Sequence, residues 1–145
     1  KRLVASSSSS SSATLDGGHA TRLLDMENAN VTLEGLRLEN GWGGLGGGVQ
    51  AVNTTLELVG VVVAHCEASY GGGFYLYNTA MSARDSTFSS TSARADGGLV
   101  IATTASRFVA DRCTFSRHAA VKSGGVAFIQ ESDFTATRSV FEAND

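Results

Sequence analysis

Residues 72–98 read GGFYLYNTAMSARDSTFSSTSARADGG, and this stretch contains one complete unit of a repeat that extends along most of the chain. A glycine pair opens the unit, an apolar segment follows, and a second glycine pair closes it. Such pairs recur with spacings of 25, 25 and 27 residues, at Gly47-Gly48, Gly72-Gly73, Gly97-Gly98 and Gly124-Gly125. A period of this length indicates a solenoid, in which each repeat forms one coil.

A second series of positions keeps the same register as the glycine pairs. Apolar residues recur 25, 25, 27 and 26 residues apart, at Leu38, Val63, Phe88, Phe115 and Phe141. Between these landmarks, short segments alternate apolar and polar residues, which is typical of strands with one buried face. We therefore predict an all-β fold: a right-handed parallel β-helix of about five coils of 25–27 residues, with three short strands per coil.

Asparagines recur 25 residues apart in the turn after the third strand, at Asn28, Asn53 and Asn78. They continue the series of alternate positions that face inward in that strand. Stacked amides can hydrogen-bond to one another along the axis and satisfy polar groups that are buried in the turn. We predict a structural asparagine ladder at these positions, and favour this role for Asn53 over glycosylation. Asn30, in the other Asn-x-Thr triplet, remains a candidate for glycosylation.

The composition limits the classes of partner. The 145 residues are 42% hydrophobic, which is enough for one continuous core. Eleven basic and fourteen acidic residues give a net charge of −3 with no basic block, so we expect no nucleic-acid partner. No apolar run reaches the roughly 18 residues of a transmembrane helix, so we expect no membrane insertion.

The N-terminal segment differs from the rest of the chain. Residues 1–5 precede seven consecutive serines, Ser6–Ser12. We predict that residues 1–13 form a Ser-rich flexible linker and residues 14–145 the parallel β-helix domain. Because the chain has no initiator Met and stops within a coil at Asp145, we expect it to be a fragment of a longer, secreted or cell-surface protein.

Two motifs of the repeat match those of a known family. They occur at Gly124-Gly125-Val126-Ala127, at Gly72-Gly73-Phe74 and at Phe141-Glu142-Ala143-Asn144. These coils resemble the repeat of the polymorphic outer-membrane-protein family, β-helical surface adhesins marked by GGA(I/L/V) and FxxN. In two other coils the Asn of FxxN is replaced, by Thr91 and by His118. The resemblance implies a β-helix with an adhesive function.

The residues that could perform chemistry do not form a recognisable site, and we predict no catalytic, cofactor-binding or metal-binding residues. The outward columns of the first two strands place no two carboxylates in adjacent coils. Asp85 and Asp111 lie near arginines in one turn, which indicates surface ion pairs rather than catalysis. Cys66 and Cys113 occupy different columns two coils apart, so we predict free thiols.

The outward face of the third strand is the most informative surface. On the alignment of the glycine pairs, its outward residues are mostly apolar or aromatic, and we assign protein binding to Val52, Tyr75, Tyr77, Val100 and Ile129. Contiguous apolar surface that is rich in Tyr is typical of protein interfaces.

These features lead to a functional hypothesis with an alternative. The hypothesis is a non-enzymatic structural, adhesion or assembly-scaffold module that binds another protein, or a sister domain of its parent chain, through this face. The alternative is a fragment of a carbohydrate-active or glycan-binding β-helix protein, with Trp42, Tyr70, Tyr75 and Tyr77 as stacking residues.

Overall fold

The computed structural model describes residues 2–6 and 12–145, and in these residues the regular structure consists of strands. In chain order, the strands are β1 Arg2–Ser6, β2 Ala13–Asp16, β3 Leu24–Glu27, β4 Asn30–Glu34, β5 Leu36–Glu39, β6 Trp42–Leu45, β7 Val49–Val52, β8 Thr55–Val59, β9 Val62–Ala64, β10 Glu67–Tyr70, β11 Phe74–Tyr77, β12 Ala80–Arg84, β13 Thr87–Ser89, β14 Ser92–Ala93, β15 Val100–Thr103, β16 Arg107–Asp111, β17 Thr114–Ser116, β18 Ala119–Ala120, β19 Ala127–Gln130, β20 Asp133–Thr137 and β21 Val140–Glu142. Within the same ranges, no helix is long and apolar enough to cross a membrane.

The strands stack in parallel along one axis and form a β-solenoid of about five turns, as predicted. The first sheet has the order β1-β4-β8-β12-β16-β20, and the second has the order β2-β5-β9-β13-β17-β21. The third sheet has the order β3-β7-β11-β15-β19, and each of its strands except β3 follows the glycines of its coil. Each strand pairs with the equivalent strand of the next coil, which explains why like residues recur in columns.

A fourth sheet lies between the second and third sheets in each coil. It has the order β6-β10-β14-β18, so each complete coil has four strands and not the three that the sequence pattern predicted. Its strands shrink from four residues in Trp42–Leu45 to two in Ser92–Ala93. Strands this short carry little periodic signal, so the alternation of apolar residues did not reveal them.

The core runs along the axis between the sheets. Phe88, Phe115 and Phe141, which belong to the recurring apolar series, stack on one another, with ring centroids 5.2 Å apart for the first pair and 4.6 Å for the second. The rings of the second pair are nearly parallel, at 8°. Because each ring covers the ring of the adjacent coil, this column ties successive coils together.

The glycines bend the chain between the fourth and third sheets. Gly71 has a φ of +65°, and the equivalent residues Gly46, Gly97 and Gly124 have φ between +60° and +69°. A Cβ on Gly71 would also lie 2.1 Å from the carbonyl oxygen of Phe74. The next glycine, Gly72, faces the adjacent coil, where a Cβ would lie 2.4 Å from the carbonyl oxygen of Gly98. One glycine therefore supplies the bend and the other allows adjacent coils to approach closely.

The third sheet is in register with the first glycine of each turn, and not with the glycine pairs on which the prediction of the binding residues was based. The amides of Gly73 and Phe74 both donate to the carbonyl of Leu99, so Leu99 stands level with the third glycine of a triplet. The pair Gly97-Gly98 therefore aligns with Gly71-Gly72, and not with Gly72-Gly73. A shift of one residue exchanges the two faces of a strand.

This shift corrects two of the predicted binding residues. Val100 is completely buried in the core, and Ile129 packs against the core, so the prediction that they point outward is wrong. In their place, Ile101 pairs with Tyr75 and Phe128 pairs with Ile101 on the outward side of the sheet. The physical reason is that one extra residue lies before Gly97, since paired residues are 25 positions apart at Ala68 and Ala93 but 26 apart at Phe74 and Val100. Leu99 and Val126 then occupy the position of the third glycine.

The asparagine turns lie at the surface of the solenoid. Asn28, Asn53 and Asn78 have φ of 51°, 49° and 46°, a left-handed conformation that Asn adopts more readily than most residues. Their side chains are exposed rather than buried, and the Nδ2 of Asn78 donates to the Oδ1 of Asn53 over 2.9 Å. The predicted ladder is therefore present only between Asn53 and Asn78, outside the core, and within residues 12–145 no side-chain hydrogen bond joins Asn28 to Asn53.

Hydroxyl groups fill the buried polar column of this corner. The amides of Thr54, Thr79 and Ser106 each donate to the hydroxyl of the equivalent residue one coil further along, over 3.3, 3.1 and 3.0 Å. The Thr79 hydroxyl in turn donates to the carbonyl of Tyr77 over 3.0 Å. Buried backbone amides are thereby satisfied where the strand pairing is interrupted.

The predicted linker is only partly described. Strand β1, Arg2–Ser6, pairs in parallel with Asn30–Glu34 at one edge of the first sheet. Residues 7–11 lie outside the described residues. Strand β2 begins at Ala13, one residue before the predicted start of the domain.

Candidate functional site

A groove runs along the corner between the fourth and third sheets. One wall is the residue that precedes each bend glycine, and the other is the residue four positions after that glycine. Because the turn between them begins with two glycines, the two columns enclose an open space of about 400 Å³. We call this space the third-sheet groove; its lining residues are Leu45, Tyr70, Tyr75, Asp96, Ile101, Thr103, Phe128 and Gln130.

The predicted binding residues divide into three groups with respect to this groove. Tyr75 lines it. Val52 and Tyr77 lie on the same outward face but outside the groove lining, and Tyr77 is 41% exposed. Val100 and Ile129 lie on the opposite, inward face. The structure therefore brings one predicted residue into the groove and places two beside it.

Several groove residues were missed because the sequence pattern was aligned on the wrong glycines. Ile101 and Phe128 occupy the column of Tyr75, and Asp96 occupies the column of Tyr70. Alignment on the first glycine of each turn, the one with positive φ, would have identified all three. The sequence offered this signal as the change from the triplets Gly46–Gly48 and Gly71–Gly73 to the later pairs.

The charges around the groove are mostly paired. Arg94 Nε lies 2.9 Å from Glu67 Oε1, and Arg22 Nη1 lies 2.8 Å from Asp25 Oδ2. The Asp96 carboxylate has neither a salt bridge nor a hydrogen bond within residues 12–145, although the residue is half-buried. The groove therefore combines aromatic and aliphatic walls with one unneutralised negative charge.

Asp85 and Asp111 form surface ion pairs, as predicted. Arg112 donates from Nε and Nη2 to the two oxygens of Asp85 over 2.7 and 2.8 Å. Arg138 does the same to Asp111 from the next coil, with its Nη2 2.6 Å from Oδ2. The hydrogen bond from Arg138 lowers the pKa of Asp111 to about 2. Asp111 is therefore ionised at neutral pH and is poorly suited to act as a general acid.

The buried thiols and the buried imidazole lie within the core. Cys66 and Cys113 are free, as predicted, and burial raises the pKa of the Cys66 thiol to about 11. His118 is fully buried, and its Nδ1 lies 2.7 Å from the Thr91 hydroxyl, which donates to the Gly98 carbonyl. Burial lowers the pKa of His118 to about 4. At neutral pH these groups are uncharged and have a packing role.

Comparisons of this chain with protein-family models, with curated proteins and with solved structures give no match. They therefore do not support the resemblance to the polymorphic outer-membrane-protein repeat. The class that the structure itself shows is the broader one, a parallel β-solenoid of about five turns.

Proposed function

We propose that this chain is a non-enzymatic β-helical scaffold or adhesion module that binds another protein, or a sister domain of its parent chain, through the third-sheet groove and the face beside it. The observation that carries the proposal is the concave aromatic and aliphatic lining of the groove. Five of its eight lining residues are Leu, Ile, Phe or Tyr. Exposed concave apolar surface that is enriched in Tyr is typical of sites where another protein docks.

The solenoid suits this role because it holds the groove rigidly. Each inner coil is hydrogen-bonded to the coils on both sides, in four sheets. The side chains of the groove project from this fixed backbone, so little conformational entropy is lost when a partner binds. The proposal extends to a secreted or cell-surface location, which the adhesin-like motifs in two of the coils favour.

A glycan-binding role is the second candidate. It is favoured by Tyr70 and Tyr75, which face the groove from its two walls, Tyr70 being 40% exposed. Aromatic rings with one polar end are common in contacts with sugars, because the ring packs on the apolar face of the sugar. The other predicted stacking residues, Trp42 and Tyr77, are 43% and 41% exposed but lie outside the groove lining.

Crosslinking mass spectrometry in the native extract tests the proposal. The groove variant is Tyr75→Lys/Tyr77→Lys, and the control is Ser82→Lys/Thr87→Lys, which adds the same two charges to the same coil on the first and second sheets. We expect the wild type and the control to capture the same protein through this face, and the groove variant to lose it. Equal capture by all three proteins would contradict the proposal, and capture of glycans alone would favour the second candidate.

A further inference from the structure

One of the groove side chains that have no partner within residues 12–145 is an acid. Asp96 is half-buried, lines the groove, and has no ion-pair or hydrogen-bond partner among residues 12–145. Its neighbour Arg94 is engaged by Glu67, and Lys122 forms no salt bridge with Asp96 within residues 12–145. A carboxylate that is partly removed from water and left without a counter-charge is unfavourable, and a cation that enters the groove would relieve this.

Aromatic rings stand around the same carboxylate. Tyr70 occupies the equivalent position one coil away, which places its backbone roughly 4.8 Å from that of Asp96. Tyr75 faces Tyr70 across the turn, and Phe128 lies on the other side of Ile101 in the opposite column. Cations bind favourably over the faces of such rings within about 6 Å of the ring centre.

The charge of the surrounding face has the same sign. The third sheet continues beyond the groove to Asp25 and Glu27 on the outward side of the first coil, and the chain carries a net charge of −3. Asp25 is paired with Arg22, whereas Glu27 is exposed and forms no salt bridge within residues 12–145. A basic segment is therefore electrostatically complementary to this face, and an acidic segment is not.

We propose that the third-sheet groove receives an arginine or lysine side chain from an apolar segment of its protein partner, with the Asp96 carboxylate as counter-charge and the rings of Tyr70 and Tyr75 as flanking surfaces. This inference rests on the proposed function, and it specifies the chemistry of the partner. Ile101 and Leu45 provide the apolar contacts for the methylene stem and the neighbouring residues.

The test uses the tyrosine rings as reporters. The protein has three tyrosines, and Tyr77 lies outside the groove lining, so it serves as an internal control. In protein labelled with ¹³C on the tyrosine rings, the ring signals are followed during titration with N-acetyl-arginine amide, with the neutral isostere N-acetyl-citrulline amide, and with methyl β-glucoside. We expect saturable shifts of Tyr70 and Tyr75 with the arginine derivative, and at least about tenfold weaker binding of the citrulline derivative.

The Asp96→Asn variant removes the counter-charge, and we expect it to weaken binding of the arginine derivative by about tenfold. Asp133→Asn is the matched control, because Asp133 is an exposed acid on the first sheet. Equal shifts with arginine and citrulline, unchanged binding by Asp96→Asn, or shifts with the glucoside alone would each overturn the inference.

The crosslinking experiment separates this inference from the proposed function. If Asp96→Asn still captures the protein that the wild type captures, while Tyr75→Lys/Tyr77→Lys loses it, the binding face stands and the cation inference fails. If the wild type captures no protein through this face, the proposed function fails, and the cation inference that rests on it fails as well.

Discussion

At the scale of single residues, one column of the core holds a chemically different side chain in each coil. The position three residues after the stacked apolar column holds Cys66, Thr91, His118 and Asn144 in successive coils. Asn144 shows how a polar side chain is accommodated there, because its Nδ2 donates to the Phe115 carbonyl and its Oδ1 accepts from the His118 amide. His118 fits less well, since its Nε2 is buried and has no partner within residues 12–145.

His118 should make the stability of the fold depend on pH. Its pKa is about 4 in the folded protein against 6.5 for an exposed imidazole, so the unfolded chain binds more protons between these values. The free energy of unfolding should therefore fall as the pH drops from 6.5 to 4, by on the order of 3 kcal/mol in total. Urea unfolding at a series of pH values measures this loss.

The substitution His118→Asn, which copies Asn144, should remove most of the pH dependence between pH 4 and 6.5. His65→Asn is the control, because His65 is an exposed imidazole in a turn. The paired carboxylate Asp111 does not interfere, since its pKa falls from 3.8 to about 2 and its contribution is lost below this window. An unchanged pH dependence in His118→Asn would show that another group is responsible.

At the scale of the elements, the bend glycines set the geometry of the groove. A side chain at Gly71 meets two obstacles, a φ of +65° and the Phe74 carbonyl 2.1 Å from its Cβ. Gly60 has a similar φ of +59° but open space around it. The two positions therefore separate the effect of backbone conformation from that of steric contact.

We expect Gly60→Ala to lower the free energy of unfolding by about 1 kcal/mol, the usual effect of a left-handed conformation. Gly71→Ala should lower it by at least about 2 kcal/mol more, because the backbone of the turn must move. Denaturant titration measures both changes. Equal losses in the two variants would mean that the turn relaxes without strain, and would contradict the role given to Gly71.

The sequence predicted some strands correctly and others incorrectly, and the difference lies in their residue patterns. The three sheets with regular alternation were predicted, because their strands hold three to five residues and their columns contain like residues. The orientation of Val100 and Ile129 was not predicted correctly. In Leu99-Val100-Ile101-Ala102 the residues on both faces of the strand are apolar, so either face could be buried. Phe74-Tyr75-Leu76-Tyr77 left no such ambiguity, because the hydroxyls of Tyr75 and Tyr77 favour the outward face. Asp96 was missed because the same error in register hid its equivalence to Tyr70.

At the scale of the whole molecule, the coils differ in how completely their core side chains and strands are covered by adjacent coils. The core side chains Phe74, Phe88, Phe108 and Phe115 are fully buried, whereas Phe141 is 47% exposed in the last coil. Inner strands are hydrogen-bonded on both sides, and strands β19, β20 and β21 on one side only. Opening of the last coil therefore breaks fewer contacts than opening of an inner coil.

Hydrogen exchange of this 145-residue chain should show a gradient. We expect amides of β11, β12 and β13 to be protected by at least about 100-fold more than amides of β19, β20 and β21, because local opening from one end exposes only the latter. Mass spectrometry of proteolytic fragments measures the protection. Uniform protection along the chain would instead indicate that the solenoid opens as a single cooperative unit.

The fixed spacing between each bend glycine and the third-sheet strand that follows it has a consequence for how such a surface changes during evolution. A gain or loss of a single codon in the glycine turn would interchange the displayed and hidden side chains of one third-sheet strand, while the other three sheets keep their pairing. Segments that are apolar at both parities, as at 99–102, tolerate that event without placing a charge in the core. Binding specificity at the groove can therefore be rewritten by an insertion or deletion of three nucleotides, without any point substitution.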